Sequence, residues 1–544
     1  MAEIGPLEAA GGLTAPRGLR LPRLSGQRLL VLWLPALLVT GAVVLPIVYL
    51  VIRASEAGTG TRALLLRPQT ALILGNSIGL ALAVTLASWL LGGGLALLTV
   101  RTDLPGRRLW AILSALPLAV PSYVGAYLLA AALGPRGLVQ ELLEPLVGVT
   151  RLPSIYGFPG AFLSLTLLSY PYVLLPVRAA LHRMDPALEE SARSLGHNGW
   201  GVLRRVTLPQ LMPAMLAGGL LVALYSLRDF GAVSLLRFTT FTRAIYLQYQ
   251  SAFDRSSAAA LSLVLVALTV VLLALELRGR RGGDHYASTG AGGRPPALIR
   301  LGPWRWPALI VCALLVGVAL VLPTVVLGYW LLRALEAGPD LTTLLLSTRN
   351  SLLASGLAAA VTVIAALPIV VLSARYPSNR SRWLDRLSHI GFALPGVVVA
   401  LALVFFGLRG APWLYQTLPM LILAYLILFL PQATGTLRPS LIQIPRQLEE
   451  SGRSLGQRPL TVFRRVTLPL LRPGLLASAA LVFLTTMKEL QATLLLGPLG
   501  FRTLATEIWS AVSEAFFAEA AGPALVLILT CSLPMAYFVL RDQP

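Results

Sequence analysis

Two dipeptides of opposite charge, Arg228-Asp229 and Lys488-Glu489, stand 260 residues apart, each about 15 residues into an apolar run. A charge at that depth costs several kcal/mol unless it is paired or wetted, so all four side chains point to a pathway, a gate or an interface between helices. Neighbouring helix residues do not face each other. The expected pairs therefore run across the chain, Arg228 with Glu489 and Asp229 with Lys488; the alternative is helix-end charges reaching outer water. Two further acidic pairs, Glu189-Glu190 and Glu449-Glu450, repeat the 260-residue offset in polar gaps. Other chemistries lack their residues. The two cysteines, Cys312 and Cys531, fall inside apolar runs as packing residues, and no His, Cys or carboxylate spacing suggests a metal site. An ATP-binding P-loop needs lysine in G-x-x-x-x-G-K-[ST], and the one lysine of the chain, Lys488, follows Met487. With no catalytic constellation either, an enzyme is not expected.

The acidic pairs belong to a 26-residue stretch that occurs twice, at 188–213 and 448–473, with 17 of 26 positions identical. Asp185-Pro186 supplies an N-cap and a first-turn proline, and Gly196 ends a helix of about ten residues. Leu188, Ala192 and Leu195 are expected on one face, with Glu189 and Arg193 paired on another. Gly199 and Gly201 interrupt the chain before a second helix, and Pro209 and Pro213 lead into the next apolar run. The second copy keeps this spacing through Leu448, Glu449, Glu450, Ser451, Gly452, Arg453, Leu455, Gly456, Leu468 and Pro469.

These elements sit in a chain that is 56% hydrophobic and 12% charged, too apolar for a soluble core with a solvated shell. It reads as an all-α polytopic membrane protein with about 12 transmembrane helices in two parallel six-helix repeats. Spans are expected at 29–52, 71–100, 109–134, 159–182, 212–235 and 257–277, then at 307–333, 348–374, 388–409, 415–436, 473–497 and 522–540. The domains follow: a cytoplasmic tail 1–28, a first unit 29–277 with its repeated loop at 185–213, a flexible linker 278–306, and a second unit 307–544 with its loop at 445–473. Asn76-Ser77 recurs as Asn350-Ser351, and Ala115-Leu116-Pro117 as Ala393-Leu394-Pro395, which leaves about 18 extra residues in the first unit near 134–160. Tyr123 and Tyr127 are expected in an interfacial aromatic belt, the alternative being the lining of a path for a hard cation. The formal net charge of +21 gathers in alternate loops. By the positive-inside rule those loops, both termini and both repeated stretches are cytoplasmic, with anionic lipid rather than nucleic acid as the partner of the charge.

The repeated stretch resembles the EAA loop of binding-protein-dependent ABC importer permeases, which is Glu-Ala-Ala, three residues, Gly, nine residues, then Ile-x-Leu-Pro. Here it stands as Glu190-Ser191-Ala192, Gly196 and Val206-Thr207-Leu208-Pro209, and again as Glu450-Ser451-Gly452, Gly456 and Val466-Thr467-Leu468-Pro469, with every gap preserved. The departures are Ser for the first Ala, Gly452 for the second, and Val for Ile. The resemblance implies a MetI-like fold in a bacterial inner membrane and a loop that couples to ABC ATPase subunits, expected as a homodimer. ATP and Mg would be used by that partner, with no cofactor bound by this chain. It also implies a periplasmic or lipid-anchored solute-binding protein, for which the insert near 134–160 would be a docking surface. Fused permeases with two such loops most resemble the ferric iron importers, and segments 121–137, 151–162 and 226–238 have that look. Thiamine, phosphonate or another small solute is the alternative cargo, and an ion-coupled secondary transporter the alternative class.

Overall fold

The computed structural model describes residues 26–56, 66–135, 137–148, 151–250, 255–280, 298–338 and 340–541. Most of the expected tail 1–28 and linker 278–306 therefore lies outside the described residues. In the first half the helices are α1 (Gly26–Glu56), α2 (Pro68–Arg101), α3 (Arg107–Leu113), α4 (Ser122–Leu133), α5 (Leu138–Val147), α6 (Phe158–Ser169), α7 (Pro171–Arg183), α8 (Pro186–Ser194), α9 (Gly199–Val202), α10 (Leu208–Arg228), α11 (Gly231–Leu235), α12 (Phe241–Gln250) and α13 (Arg255–Arg280). The second half repeats the series. Its helices are α14 (Arg305–Val316), α15 (Leu322–Ala337), α16 (Leu341–Arg375), α17 (Asn379–Ser388), α18 (Gly396–Gly410), α19 (Leu418–Ile442), α20 (Arg446–Ser454), α21 (Pro459–Val462), α22 (Leu468–Met487), α23 (Gln491–Leu496), α24 (Leu504–Ser513) and α25 (Phe517–Arg541).

Among the described residues nine helices are long and apolar enough to cross a membrane, and eleven if each of two sharply bent pairs counts as one span. The expected twelfth span falls on the 25-residue α25, whose described apolar stretch, Phe517–Ser532, is shorter than the others. Four expected spans are corrected. Those at 109–134 and 388–409 are not continuous: Arg107–Ala119 meets Ser122–Leu146 at 102°, and Asn379–Ala393 meets Gly396–Gly410 at 106°. Pro121 and Pro395 exclude the residue before them from helical backbone, so each chain tightens into a 3-10 turn, Leu116–Ala119 or His389–Ala393, and changes direction. The spans expected at 212–235 and 473–497 begin earlier, at Gly199 and Pro459, and stop at Arg228 and Met487.

Within each of these two long helices a five-residue π turn, Leu203–Thr207 or Phe463–Thr467, ends two residues before a proline, Pro209 or Pro469. The turn Gly317–Val321 stands in the same relation to Pro323. A proline ring clashes with the carbonyl one turn back, and a widened turn moves that carbonyl away without ending the helix.

The same core triad appears twice, α2 against α7 and α10, and α16 against α19 and α22. First spans cross over: α1 packs on α16 and α18 of the other half, and α15 packs on α4. Each carries its own half's last span with it, α13 on α1 and α25 on α15. One apolar cluster thus joins Ala36, Val43 and Leu50 of α1 to the second half, and another joins Cys312 and Leu315 of α14 to the first. The duplicated Asn-Ser signatures staple the elements between: Asn76 donates to the Thr239 carbonyl and Asn350 to that of Arg502, while Ser77 and Ser351 accept the amides of Phe241 and Leu504.

Close contact in the triad depends on glycine. A Cβ on Gly92 would lie 2.7 Å from the Tyr170 carbonyl oxygen, and one on Gly218 would lie 2.7 Å from that of Tyr172, both backbone atoms that cannot rotate away. Gly92→Ala and Gly218→Ala should each destabilise the fold by about 1–3 kcal/mol. Thermal unfolding in detergent should show lower midpoints for both, while Gly41→Ala, where the added carbon meets nothing within 4 Å, stays near the parent.

Candidate functional site

The repeated loop, a candidate coupling element, is built from a cap inward. The Asp185 carboxylate accepts the Ala187 amide at the start of α8, and Gly196, at φ +85°, ends it. The His197 amide donates to the Ala192 carbonyl and the Gly196 amide to that of Arg193, a closure that requires left-handed backbone at position 196. Gly456, at φ +79°, closes α20 identically, through Gln457 to Gly452 and Gly456 to Arg453. The spaced glycine of the motif is thus a helix stop.

Position 192 faces the next helix. Ala192 is buried, and a Cβ on Gly452 would meet Val462 at 3.0 Å, so the departure from alanine in the second copy matches a tighter approach.

The two glutamates of each pair have opposite fates. Glu189 is buried, and both oxygens are taken: Arg101 at the end of α2 forms an ion pair with one, and the Thr207 hydroxyl donates to the other at 2.9 Å. In the second copy Arg375 at the end of α16 bonds Glu449 at 2.9 Å, and Thr467 donates to it at 3.2 Å. Glu190, Ser191, Glu450 and Ser451 stay exposed. Two expectations are corrected here. Glu189 pairs with Arg101 rather than Arg193, although Arg453 does lie 3.5 Å from Glu449. Leu188 and Leu195 do not share the buried face of Ala192: Leu195 is 79% exposed and Leu455 80%, with Leu188, Leu448, Trp200 and Leu460 exposed beside them.

Arg228, Asp229, Lys488 and Glu489 all line one cavity of about 320 Å3 between the halves, together with Tyr123, Tyr172, Tyr225, Gln432, Thr485 and Gln491. The four are not mid-helix. Arg228 ends α10, Lys488 follows α22, and each carboxylate turns onto the next short helix: Asp229 accepts the Ala232 and Val233 amides at 3.0 and 3.2 Å, and Glu489 accepts that of Ala492 at 3.1 Å. The expected cross-pairs are consequently absent among the described residues, with neither Arg228–Glu489 nor Asp229–Lys488 at ion-pair distance. The cations instead cross to carbonyls freed where the opposite half breaks its helix. Arg228 donates to Phe392 at 3.4 Å and Lys488 to Leu118 at 3.1 Å. Gln491 bridges the Arg228 carbonyl and the Val397 amide at 2.9 and 2.7 Å.

The aromatic-belt reading of Tyr123 and Tyr127 is also corrected. Both are buried; Tyr123 lines the cavity, and Tyr127 stacks on Phe517. No group of three metal-ligating side chains occurs among the described residues. A cavity with fixed charges of both signs, most of them engaged by backbone, suits passage rather than tight coordination.

Sequence reasoning missed Arg101, Arg375, Thr207 and Thr467 as partners of Glu189 and Glu449. A signal was present, since Arg101 and Arg375 share the 274-residue offset of the Asn-Ser pairs. Removing one arginine strands a buried carboxylate. Arg101→Ala should cost about 3–5 kcal/mol, and adding Glu189→Gln should recover part of that loss. Unfolding midpoints of the single and double variants check both expectations.

Comparison with known proteins places these features in a family. The model of the binding-protein-dependent transport system inner membrane component matches residues 88–277 and again 366–540. The chain is 37% identical over 500 residues to the Fe(3+)-transport system permease protein FbpB 2 of Haemophilus influenzae, covering 90% of this chain and 94% of that one. It is 23% identical to the ferric transport system permease protein FbpB of Actinobacillus pleuropneumoniae, over 86% of this chain and 70% of that one. The molybdenum transport system permease protein ModB of Escherichia coli is 33% identical over 33% of this chain and 80% of its own length. With the family matched once in each half, around the twin repeated loops, the chain belongs to the inner membrane components of binding-protein-dependent transport systems.

Proposed function

We propose that this permease imports ferric iron, driven by two identical ATPase subunits that engage α8 and α20 from the cytoplasm. The cargo reading is supported by the resemblance to FbpB 2 along nearly its whole length, against the shorter match to the molybdenum permease. The coupling reading is carried by one observation: each knob holds its first glutamate inward and presents Leu188, Leu195 and Trp200, or Leu448, Leu455 and Leu460, to solvent. Exposed apolar side chains clustered on a polar loop are what a protein partner buries. Because the knobs differ at the third of these positions, one identical subunit on each would meet a bulky indole on one side and a leucine on the other.

In this reading both termini and both loops are cytoplasmic, and the domains are the two six-span units with their loops at 185–213 and 445–473. Hydrolysis of ATP, with Mg, belongs to the partner, and this chain binds no cofactor. The solute-binding protein, periplasmic or lipid-anchored, docks on the outer surface at α5, where Leu142 and Leu146 are exposed. Force passes from knob to membrane through Arg101 and Arg375.

Leu195→Asp with Leu455→Asp should leave the permease folded but reduce co-purification of the ATPase by about tenfold or more, as loss of interface anchors does. Unchanged co-purification would remove the docking role. In proteoliposomes, the assembly with a ferric-loaded binding protein should accumulate iron on ATP addition. Transport of molybdate, thiamine or a phosphonate with no iron uptake would reassign the cargo, and uptake on an ion gradient without ATPase would overturn the importer mechanism.

A further inference from the structure

The two halves differ where the third span begins. In the second half Arg438 of α19 donates to Asp385 of α17 at 2.7 Å, a complete ion pair beside the end of a span. In the first half the arginine is kept, as Arg178 of α7 at the 260-residue offset, but the 278-residue offset that aligns the Ala-Leu-Pro signatures puts Arg107 where Asp385 stands. The acid is replaced by a base.

The structure brings those bases together. Arg178 reaches α3 and donates to the Ala111 carbonyl at 3.4 Å, and Ala111 lies one turn along α3 from Arg107, on the same face. Both arginines act electrostatically on His182, in the last turn of α7, whose counterpart at the same offset is Ile442. Arg107 and Arg178 are each partly buried, and the Arg178 Nε is buried with no acceptor. No carboxylate among the described residues pairs with either arginine. A half-buried pair of guanidiniums without a counter-charge is unfavourable, and a guanidinium fork fits a phosphate with two parallel hydrogen bonds.

The geometry points to a phosphate-binding site formed by Arg107, Arg178 and His182 in the first half alone, taking the place that Asp385 fills in the second. The site lies where α7 leaves its membrane-spanning stretch, so the phosphate is that of an anionic phospholipid headgroup or free inorganic phosphate. The bound anion joins α3 to α7 as the Asp385–Arg438 pair joins α17 to α19.

Arg107→Asp tests this directly, because it rebuilds the second half's ion pair with Arg178. Arg108→Asp makes the same charge change at the exposed neighbour, and Arg107→Gln removes the cation without creating a pair should the first variant fail to fold. Full-length permease would be incubated with phosphatidylglycerol or phosphatidylcholine, and the retained lipid counted by native mass spectrometry. Thermal unfolding would be followed in parallel with inorganic phosphate against chloride at matched ionic strength. For a lipid headgroup, the parent and Arg108→Asp retain one more phosphatidylglycerol than Arg107→Asp and Arg107→Gln, and phosphate gives no specific thermal shift. For free phosphate, the parent shows an upward shift that both Arg107 variants lose, with equal lipid retention. Equal retention and equal shifts in all four proteins would overturn the site.

Discussion

A guanidinium–carboxylate contact withdrawn from solvent, made once in each half, is what the duplicated loop depends on. Arg101 ends a long membrane helix and Glu189 sits in a short loop helix, so their pair is the join between a span and a knob. Arg375 and Glu449 repeat it. A single such pair in low dielectric is not a large net gain, because both ions lose water. Its value is positional: separating the partners strands two charges, so the knob cannot tilt independently of α2 or α16. The π turns serve the same join, since they let the helix run through Pro209 and Pro469 while placing Thr207 and Thr467 against the glutamates.

The central cavity follows a related logic with weaker bonds. Helix breaks at Pro121 and Pro395 free carbonyls in a region where unsatisfied backbone is costly. Arg228 and Lys488 satisfy one each, always in the opposite half, while Asp229 and Glu489 cap the short helices after their own breaks. Charges too costly for hydrocarbon thus become the fasteners of an interrupted backbone. The contacts joining the halves here run from one side chain to one carbonyl, at 2.9 to 3.4 Å, and such bonds exchange readily with water in a cavity.

The duplication also shows which features a half needs and which it may vary. The arginine–glutamate–threonine clamp, the glycine stop and the Asn-Ser staple occur in both halves. The insert carrying α5 and the Arg107–Arg178 cluster belong to the first half. What both halves keep is the frame that fixes loop to span, and what differs lies outside that frame.

By itself the sequence determined the class, the approximate places of most spans and the duplicated loops, because apolar run length and exact spacing are local quantities that bilayer thickness and helix caps read directly. Glycine at 196 and 456 had to be a stop, and the charges at 228–229 and 488–489 had to meet something polar. Only the tertiary structure decided what they meet. Which carbonyl a proline frees, and whether Glu189 turns toward Arg193 in its own helix or Arg101 some 88 residues away, depends on how helices cross, which no local pattern encodes. The exchange of first spans between halves was hidden for the same reason: a lipid-facing helix and one packed on the other half are equally apolar, and only their neighbours tell them apart.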